Sequence, residues 1–323
     1  MTRARTRTPH ADWPLASGLA AGVLADALIG DPARRHPVAL FGQAVATLEQ
    51  AVYADRKSAG AAFTAASVLF AAGPALAGAR LTRGRPLARA VAAATVTWTV
   101  TGARSLATEA SRISDALTTG DLPAARLLLP RLCGRDPERL DATAITRAVV
   151  ESVAENTSDA IVAPLVWGAL AGPAGLAGYR AVNTLDAMVG HHSPRYERFG
   201  WASARFDDVA NWAPARLTAL LAAACAPAVG GSPAATWRAA VSDGPRHPSP
   251  NAGWCEAAFA GALGVRLGGS LSYAGRAEHR PELGTGHPPQ AADIARAVRL
   301  SRAVTAAATV LTASLSLICH PRR

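Results

Sequence analysis

The chain has 323 residues, of which half are hydrophobic and 17% charged, and its formal net charge is +10. Soluble globular proteins usually carry about a quarter charged residues, so the composition points to helices in a bilayer or to a very apolar bundle. The positive excess is almost all arginine, scattered through many loops with no electrostatic footprint, so no nucleic-acid partner is expected.

Lys57 is the sole lysine, and no glycine-rich turn precedes it. That excludes a P-loop and leaves no other lysine for a Schiff base. If the chain uses ATP, then arginines, backbone amides and a metal must hold the phosphates.

Arg3, Arg5 and Arg7 precede the first apolar run, as in a signal sequence. The run continues to Asp26 and Asp31 without a small-residue cleavage site, and reads as an uncleaved first helix. Spans are expected near residues 13–30, 61–79, 87–103, 160–179, 217–237 and 303–321, since about 20 apolar residues cross a bilayer. Pro74, Pro164, Pro173 and Pro227 interrupt these runs, which membrane helices tolerate when neighbours satisfy the freed backbone groups. Arginines flank both ends of most spans; the N-terminal three favour a cytoplasmic start, whereas Arg34 and Arg35 argue against a simple first crossing.

Residues 104–159 are polar with a helical pattern, broken by turns at Gly120-Asp121-Leu122-Pro123 and Gly134-Arg135-Asp136-Pro137. Residues 244–253 and 276–289 read as proline-rich loops. No segment alternates with a two-residue period and no repeat is evident. The expectation is one domain over residues 1–323: an all-α, polytopic integral membrane protein with polar loops. Cys133, Cys225, Cys255 and Cys319 form no CxxC pair, so structural zinc and a disulfide framework lack support.

Between Glu151 and Leu217, dense carboxylates, amides and arginines are interleaved with segments apolar enough for a bilayer. Polar groups beside apolar helices are costly unless paired or employed. Arg147, Glu151, Glu155 and Asp159 recur every four residues and form one helical stripe, with Glu151 and Asp159 about 12 Å apart along the axis. Three carboxylates in a row repel, and a divalent metal, an arginine or a proton would relieve them. The plainer reading is a solvated helix face with one Arg147–Glu151 pair.

Asn183 and Asp186 share a second face, and Arg205, Asp207, Asp208 and Asn211 repeat the combination. Aspartate and amide oxygens suit Mg²⁺, and arginine suits phosphate. Asp208 and Asn211 are equally compatible with capping a helix before Pro214, and Asn251 with capping one near Trp254. His36 is a candidate ligand or acid–base group, though a lone loop histidine is often merely solvated. His191 and His192 are adjacent and make a poor two-histidine metal site. GxSxG, HExxH and a well-placed GxGxxG are all missing.

Several separated motifs, in order, resemble those of the CobD/CbiB family, the cobalamin-biosynthesis synthases that make adenosylcobinamide phosphate. They are Asp26 with Gly30-Asp31-Pro32, His36-Pro37-Val38 before Gly42, Gly134-Arg135-Asp136, the Glu151–Leu217 block, Pro250-Asn251-Ala252-Gly253, residues 260–269, and Arg280-Pro281 before Leu283-Gly284. The resemblance implies a protein of the cell (inner) membrane that joins (R)-1-amino-2-propanol, or its O-phosphate, to the propionate of adenosylcobyric acid with ATP and Mg²⁺. Association with later enzymes of the same pathway is a further expectation. Making an amide from a carboxylate requires activating it, most simply as an acyl phosphate.

On that reading Glu151, Glu155, Asp186 and Asp208 are candidate catalytic groups. Glu155, Asp159, Asp207 and Asp208 are candidate metal ligands. Arg147, Arg180, Arg205, Asn183, Asn211, His36 and Asn251 are candidate substrate or phosphate binders. Arg180 and His192 stand where the family often has lysine, so no essential lysine is expected. A corrinoid-binding or transport protein without catalysis is the alternative, since broken helices with intramembrane polar groups also suit transport.

Overall fold

The computed structural model describes residues 12–31, 36–191, 193–273 and 276–319; the backbone alone is described for 270–273, 276–279 and 319. Arg3, Arg5, Arg7, Pro32, Arg34, Arg35 and His192 therefore lie outside the described residues. The fold is nearly all-helical and polytopic. Among the described residues four helical stretches, Lys57–Leu81, Ala142–Gly190, Trp201–Val229 and Ala291–Ile318, are long and apolar enough to cross a membrane.

Helix α1 (Trp13–Ile29) starts at an Asp12 cap and packs along α4 (Pro86–Val100). Gly18 and Gly22 face α4 so closely that added Cβ atoms would lie 2.5 Å from the Cβ of Ala93 and 2.4 Å from that of Thr97. This small-residue spacing lets membrane helices approach backbone to backbone. At its C-terminal end the buried Asp26 accepts the backbone N–H groups of Ala103 and Arg104, capping α5 (Ala103–Thr118) from a distance. Helix α2 (Pro37–Val52) and helix α3 (Lys57–Leu81) follow, and α3 shows Leu69 and Phe70 on its outer face at 70% and 62% exposure. On a bilayer-crossing helix that face meets lipid, where exposure of apolar groups costs nothing.

Short α6 (Leu122–Leu128) begins at the expected turn, capped by Asp121. Helix α7 (Ala142–Thr157) is capped by Asp141 and is buried on nearly every side, as is α11 (Ala252–Leu263). Together they form the centre of the main hydrophobic core, surrounded by α1, α5, α8 (Ala163–Leu185), α9 (Trp201–Cys225) and α12 (Ala291–Cys319). The buried Thr157 hydroxyl donates to that of Ser301 at 2.7 Å, fastening α7 to α12.

Helix α8 (Ala163–Leu185) is not one rod. Gly172 has φ 65° and ψ −155°, a conformation open in practice only to glycine, and Pro173 follows it. The chain doubles back: Gly168 abuts Leu176, and the Asn183 amide returns to within 3.2 Å of Asp159. The halves of α8 before and after the break are roughly 15 and 20 Å long at 1.5 Å per residue, each less than the hydrocarbon thickness of a bilayer. One turn of π-helix joins α7 to the first half at Ser158–Val162, and another follows the second half at Asp186–Gly190.

Three boundaries differ from expectation. The apolar run 217–237 is divided: α9 ends at Cys225, a 3₁₀ turn follows (Ala226–Val229), Gly230 turns left-handed at φ 76°, and α10 (Pro233–Asp243) starts afresh on a Ser232 cap. Residues 276–289 are not wholly loop, because β1 (Leu267–Tyr273) and β2 (Arg276–Leu283) form an antiparallel hairpin. Gly268, Gly269 and Pro281 dilute the alternation that would have announced it. Asp208 and Asn211 cap nothing; they lie inside α9, which continues through Pro214.

Candidate functional site

The two π turns sit on either side of the open end of the α8 hairpin, and each carries a carboxylate, Asp159 or Asp186. A π turn inserts one residue per turn and re-aims the side chains beside it, which is why such turns gather at functional sites. The Asp186 carboxylate lies against Gly190, where a Cβ would displace it. These turns, the start of α9, the loop after α10 and β2 enclose a cavity of about 520 Å³.

Glu155, Asp159, Asp186, Glu197, Asp207 and Asp208 line the cavity, together with Arg205, Asn211 and Asn251. Asn183 stands behind the wall. Its Nδ2 donates to Asp159 at 3.2 Å and to Asp207 at 3.4 Å, while its Oδ1 accepts from Arg180 at 3.4 Å. The other oxygen of Asp207 accepts from Asn211 Nδ2 at 3.0 Å, and Asn211 Oδ1 accepts from the buried Tyr179 hydroxyl at 2.7 Å. Two amides thus hold Asp207 in one orientation. On the outer wall Arg205 donates to Asp208 at 3.2 Å with its own side chain 67% exposed, so solvent weakens that pair.

Asn251 makes no side-chain cap of α11. Its Nδ2 donates to the Asp208 carbonyl at 2.8 Å, and its Oδ1 accepts from Arg216 at 3.2 Å. Arg216 lies between the rings of Trp212 and Trp254, at 4.4 and 4.8 Å from their centroids. This stack ties the loop at Pro250 to α9.

Three candidates serve other places. Glu151 is buried beside the cavity: one carboxylate oxygen accepts the Gly268 N–H at 2.7 Å and the other is ion-paired with Arg135. Arg147 lies against the hairpin, with its guanidinium 3.3 Å from where a Cβ on Gly269 would stand. The regular stripe is therefore split, with Arg147 and Glu151 turned to the hairpin and Glu155 and Asp159 to the cavity. His36 caps α2 through Nδ1, and its Nε2 lies 3.7 Å from Asp31. Asp31 in turn is close enough to Arg180 for their charges to interact.

Sequence reasoning gave no site role to several groups that the fold brings in. Arg280 lines the cavity from β2, and His247 and Cys255 line it from the loop after α10 and from α11. His191 lines it too, its ring edge-on to Tyr196 at 5.0 Å. Glu256 lies 3.9 Å from His247, both almost fully buried. Burial pushes the Glu256 carboxyl well above its ordinary value of 4.5, and the charges of Glu151 and Glu155 push it the same way. Burial likewise raises the Cys255 thiol, which keeps it protonated and unsuited to nucleophilic attack. The only advance signal for these groups was their place in short polar motifs between apolar runs.

Among the described residues no three carboxylate, imidazole or thiol groups already stand in a metal-binding arrangement. The donor set nonetheless fits Mg²⁺, which prefers carboxylate oxygen, keeps several waters and is commonly completed by substrate phosphate. Glu155, Asp159, Asp207 and Asp208 supply such oxygens around one space.

The fold and cavity define a polytopic helical membrane protein with an acidic, arginine-bearing site suited to oxyanions and a hard cation. The family model described as CobD/Cbib protein matches residues 19–301, and the chain belongs to that family. It is 54% identical over 304 residues to "Cobalamin biosynthesis protein CobD" of Mycobacterium tuberculosis, covering 93% of this chain and 95% of the relative. The protein of that name from Geobacter metallireducens is 45% identical over 269 residues, 81% and 84% of the two chains. The one from Rhodobacter capsulatus is 47% identical over 222 residues, 68% and 69% of the two chains. No solved structure matches.

Proposed function

We propose that the protein is a carbon–nitrogen ligase of cobalamin biosynthesis in the cell membrane. It would join (R)-1-amino-2-propanol or its O-phosphate to the propionate of adenosylcobyric acid, using ATP and Mg²⁺ and giving adenosylcobinamide or its phosphate. The observation that carries this reading is one cavity that gathers six carboxylates and two arginines in a member of the CobD/Cbib family. ATP would supply the phosphoryl group that turns the propionate into an acyl donor.

The chain's own groups then have three tasks. Asp159 and Asp207, aligned by Asn183, present oxygens for the cation that accompanies the phosphates, with Glu155 and Asp208 on the adjoining walls. Arg205 and Arg280 offset the charge of substrate oxyanions. The amine attacks only as a free base, so one carboxylate must take its proton as the C–N bond forms and the activating group departs. Glu155 and Asp186 face the cavity and suit that task.

The alternative of a non-catalytic transporter is less well supported. The cavity is bordered by His191, Tyr196 and Glu197 and by the polar loop at residues 247–251 rather than by apolar helix faces alone, an arrangement suited to admitting water-soluble co-substrates. The test is ATP consumption and amide formation by reconstituted protein given cobyric acid with the amine or its phosphate. Glu155→Ala and Asp208→Ala should each lower turnover at least about 100-fold, as expected for groups acting on the reacting charges. Wild-type protein that binds corrinoid but forms no amide would favour the transporter, and full activity in both variants would sink the metal assignment.

A further inference from the structure

Arg280 reaches the cavity from outside the helical bundle. It sits on β2 opposite Gly269, on a hairpin that would otherwise be an appendage. Two features fix where that hairpin goes. The buried carboxylate of Glu151, on α7, accepts the Gly268 N–H at 2.7 Å through one oxygen and pairs with Arg135 through the other. Beside it, Gly268 adopts φ 76°, and any Cβ there would lie 2.1 Å from the Pro281 carbonyl oxygen. The strands are therefore pinched together next to Arg280, and their register shifts between Leu267 and Gly269. Burying an ion pair at the foot of a two-stranded hairpin is costly, and such a hairpin is marginal alone. The expense is explained if the position of the strand matters.

The other arginine of the cavity wall, Arg205, is largely exposed and occupied with Asp208. Arg280 is near enough to both Glu155 and Glu256 for its charge to act on them. A guanidinium has five N–H donors in a planar fork, so it can face a protein carboxylate and still grip a second oxyanion bidentately. Six carboxylates line the cavity, and with Arg205 held by Asp208, Arg280 is the arginine placed to offset their repulsion of an anionic substrate.

We propose that Arg280 binds an oxyanion of a substrate, carboxylate or phosphate, and that the Arg135–Glu151–Gly268 clamp positions it. Arg280 is thus a binding residue, and Arg135 and Glu151 are positioning residues. This rests on the ligase reading for the identity of the substrates.

The test uses full-length protein in lipid nanodiscs, with KM measured separately for cobyric acid, for the amine with and without its phosphate, and for ATP. Arg280→Ala should raise KM for one of these about 10- to 100-fold, the effect of removing a charge-assisted hydrogen-bonded contact. The substrate affected identifies the oxyanion: carboxylate, amine phosphate or nucleotide. Arg280→Lys should recover only part of the loss, because it keeps the charge but not the fork. Glu151→Gln, which can still accept from Gly268 but loses the ion pair, should raise KM for the same substrate by a smaller factor.

Equilibrium dialysis with cobyric acid, aminopropanol phosphate and ATP gives a parallel reading that needs no turnover. If wild-type protein forms no amide, the ligase reading fails, while weaker binding of one ligand to Arg280→Ala still upholds the oxyanion site. Arg280→Ala protein that melts like the wild type and binds every ligand with unchanged affinity overturns the proposal. A Glu151→Gln defect in a different substrate overturns the clamp.

Discussion

Asn183→Asp changes one NH₂ group to an oxygen at nearly constant volume, at the point where two helices deliver their carboxylates. In the native protein the Asn183 amide donates to Asp159 at 3.2 Å and to Asp207 at 3.4 Å. Each such bond to a charged acceptor contributes about 1.5–3 kcal/mol. The substitution removes both and sets a third negative charge against two others. At about 3.3 Å and an effective dielectric constant of about 20, each new charge pair repels by roughly 5 kcal/mol. The sum exceeds what a fold of ordinary stability can absorb, so the cluster should take up a proton.

A folded state that binds this extra proton more tightly than the unfolded state loses stability as pH rises. The variant's melting temperature should therefore fall by at least about 5 °C near neutral pH, with the deficit growing toward alkaline pH and shrinking toward acid. Thermal unfolding in detergent from about pH 6 to about pH 8.5, alongside ligase turnover, reads both effects. If these oxygens bind Mg²⁺, the ion should restore part of the lost stability in the variant. A variant that melts like the wild type at every pH and turns over normally would refute the bridge between Asp159 and Asp207.

Three further outcomes are expected. Gly172→Val places a branched residue at φ 65° and ψ −155° and should cost on the order of 1–3 kcal/mol, seen as a lower melting temperature. Gly178→Ala, whose Cβ would make only ordinary contacts of 3.7 Å and more, should melt as the wild type does. Because α8 doubles back, cysteines placed at Glu138 and Glu197 in a background without native cysteine should react with an impermeant thiol reagent from the same side of a sealed vesicle. Reaction from opposite sides would mean that α8 crosses as a single rod.

Glu256 has its carboxyl raised by burial above 4.5, so the folded protein holds a proton that the unfolded chain has released. The stability this proton provides is present in acid and is lost as pH rises through the raised value. Glu256→Gln should flatten that part of the stability–pH curve, and an unchanged slope would remove Glu256 as its source.

The local rules that operate within a few residues were readable in advance. Low charge and long apolar runs announced a helical membrane protein, and the Asp121 cap before Pro123 started α6 where the turn chemistry put it. The carboxylates and amides between Glu155 and Asn211 drew attention because burying them demands a partner, and the fold brings most of them to one cavity. Residue spacing stopped being a guide wherever the backbone left the ideal helix. The π turn at Ser158–Val162 and the reversal at Gly172 depend on what packs beside them, and no periodicity encodes either.

The assignment of individual side chains was the least readable part. Glu151 and Glu155 are one turn apart and look equivalent along the chain. Tertiary structure gives one to Arg135 and the Gly268 N–H and the other to the cavity. Arg280 looks like part of a loop until a hairpin pinned from α7 carries it across to carboxylates more than a hundred residues earlier. The sequence by itself determined which groups must be paired or used, because desolvation penalises each of them individually. Which partner each received was decided only in three dimensions, because pairing energy depends on distances between segments that the chain brings together only when the whole bundle packs.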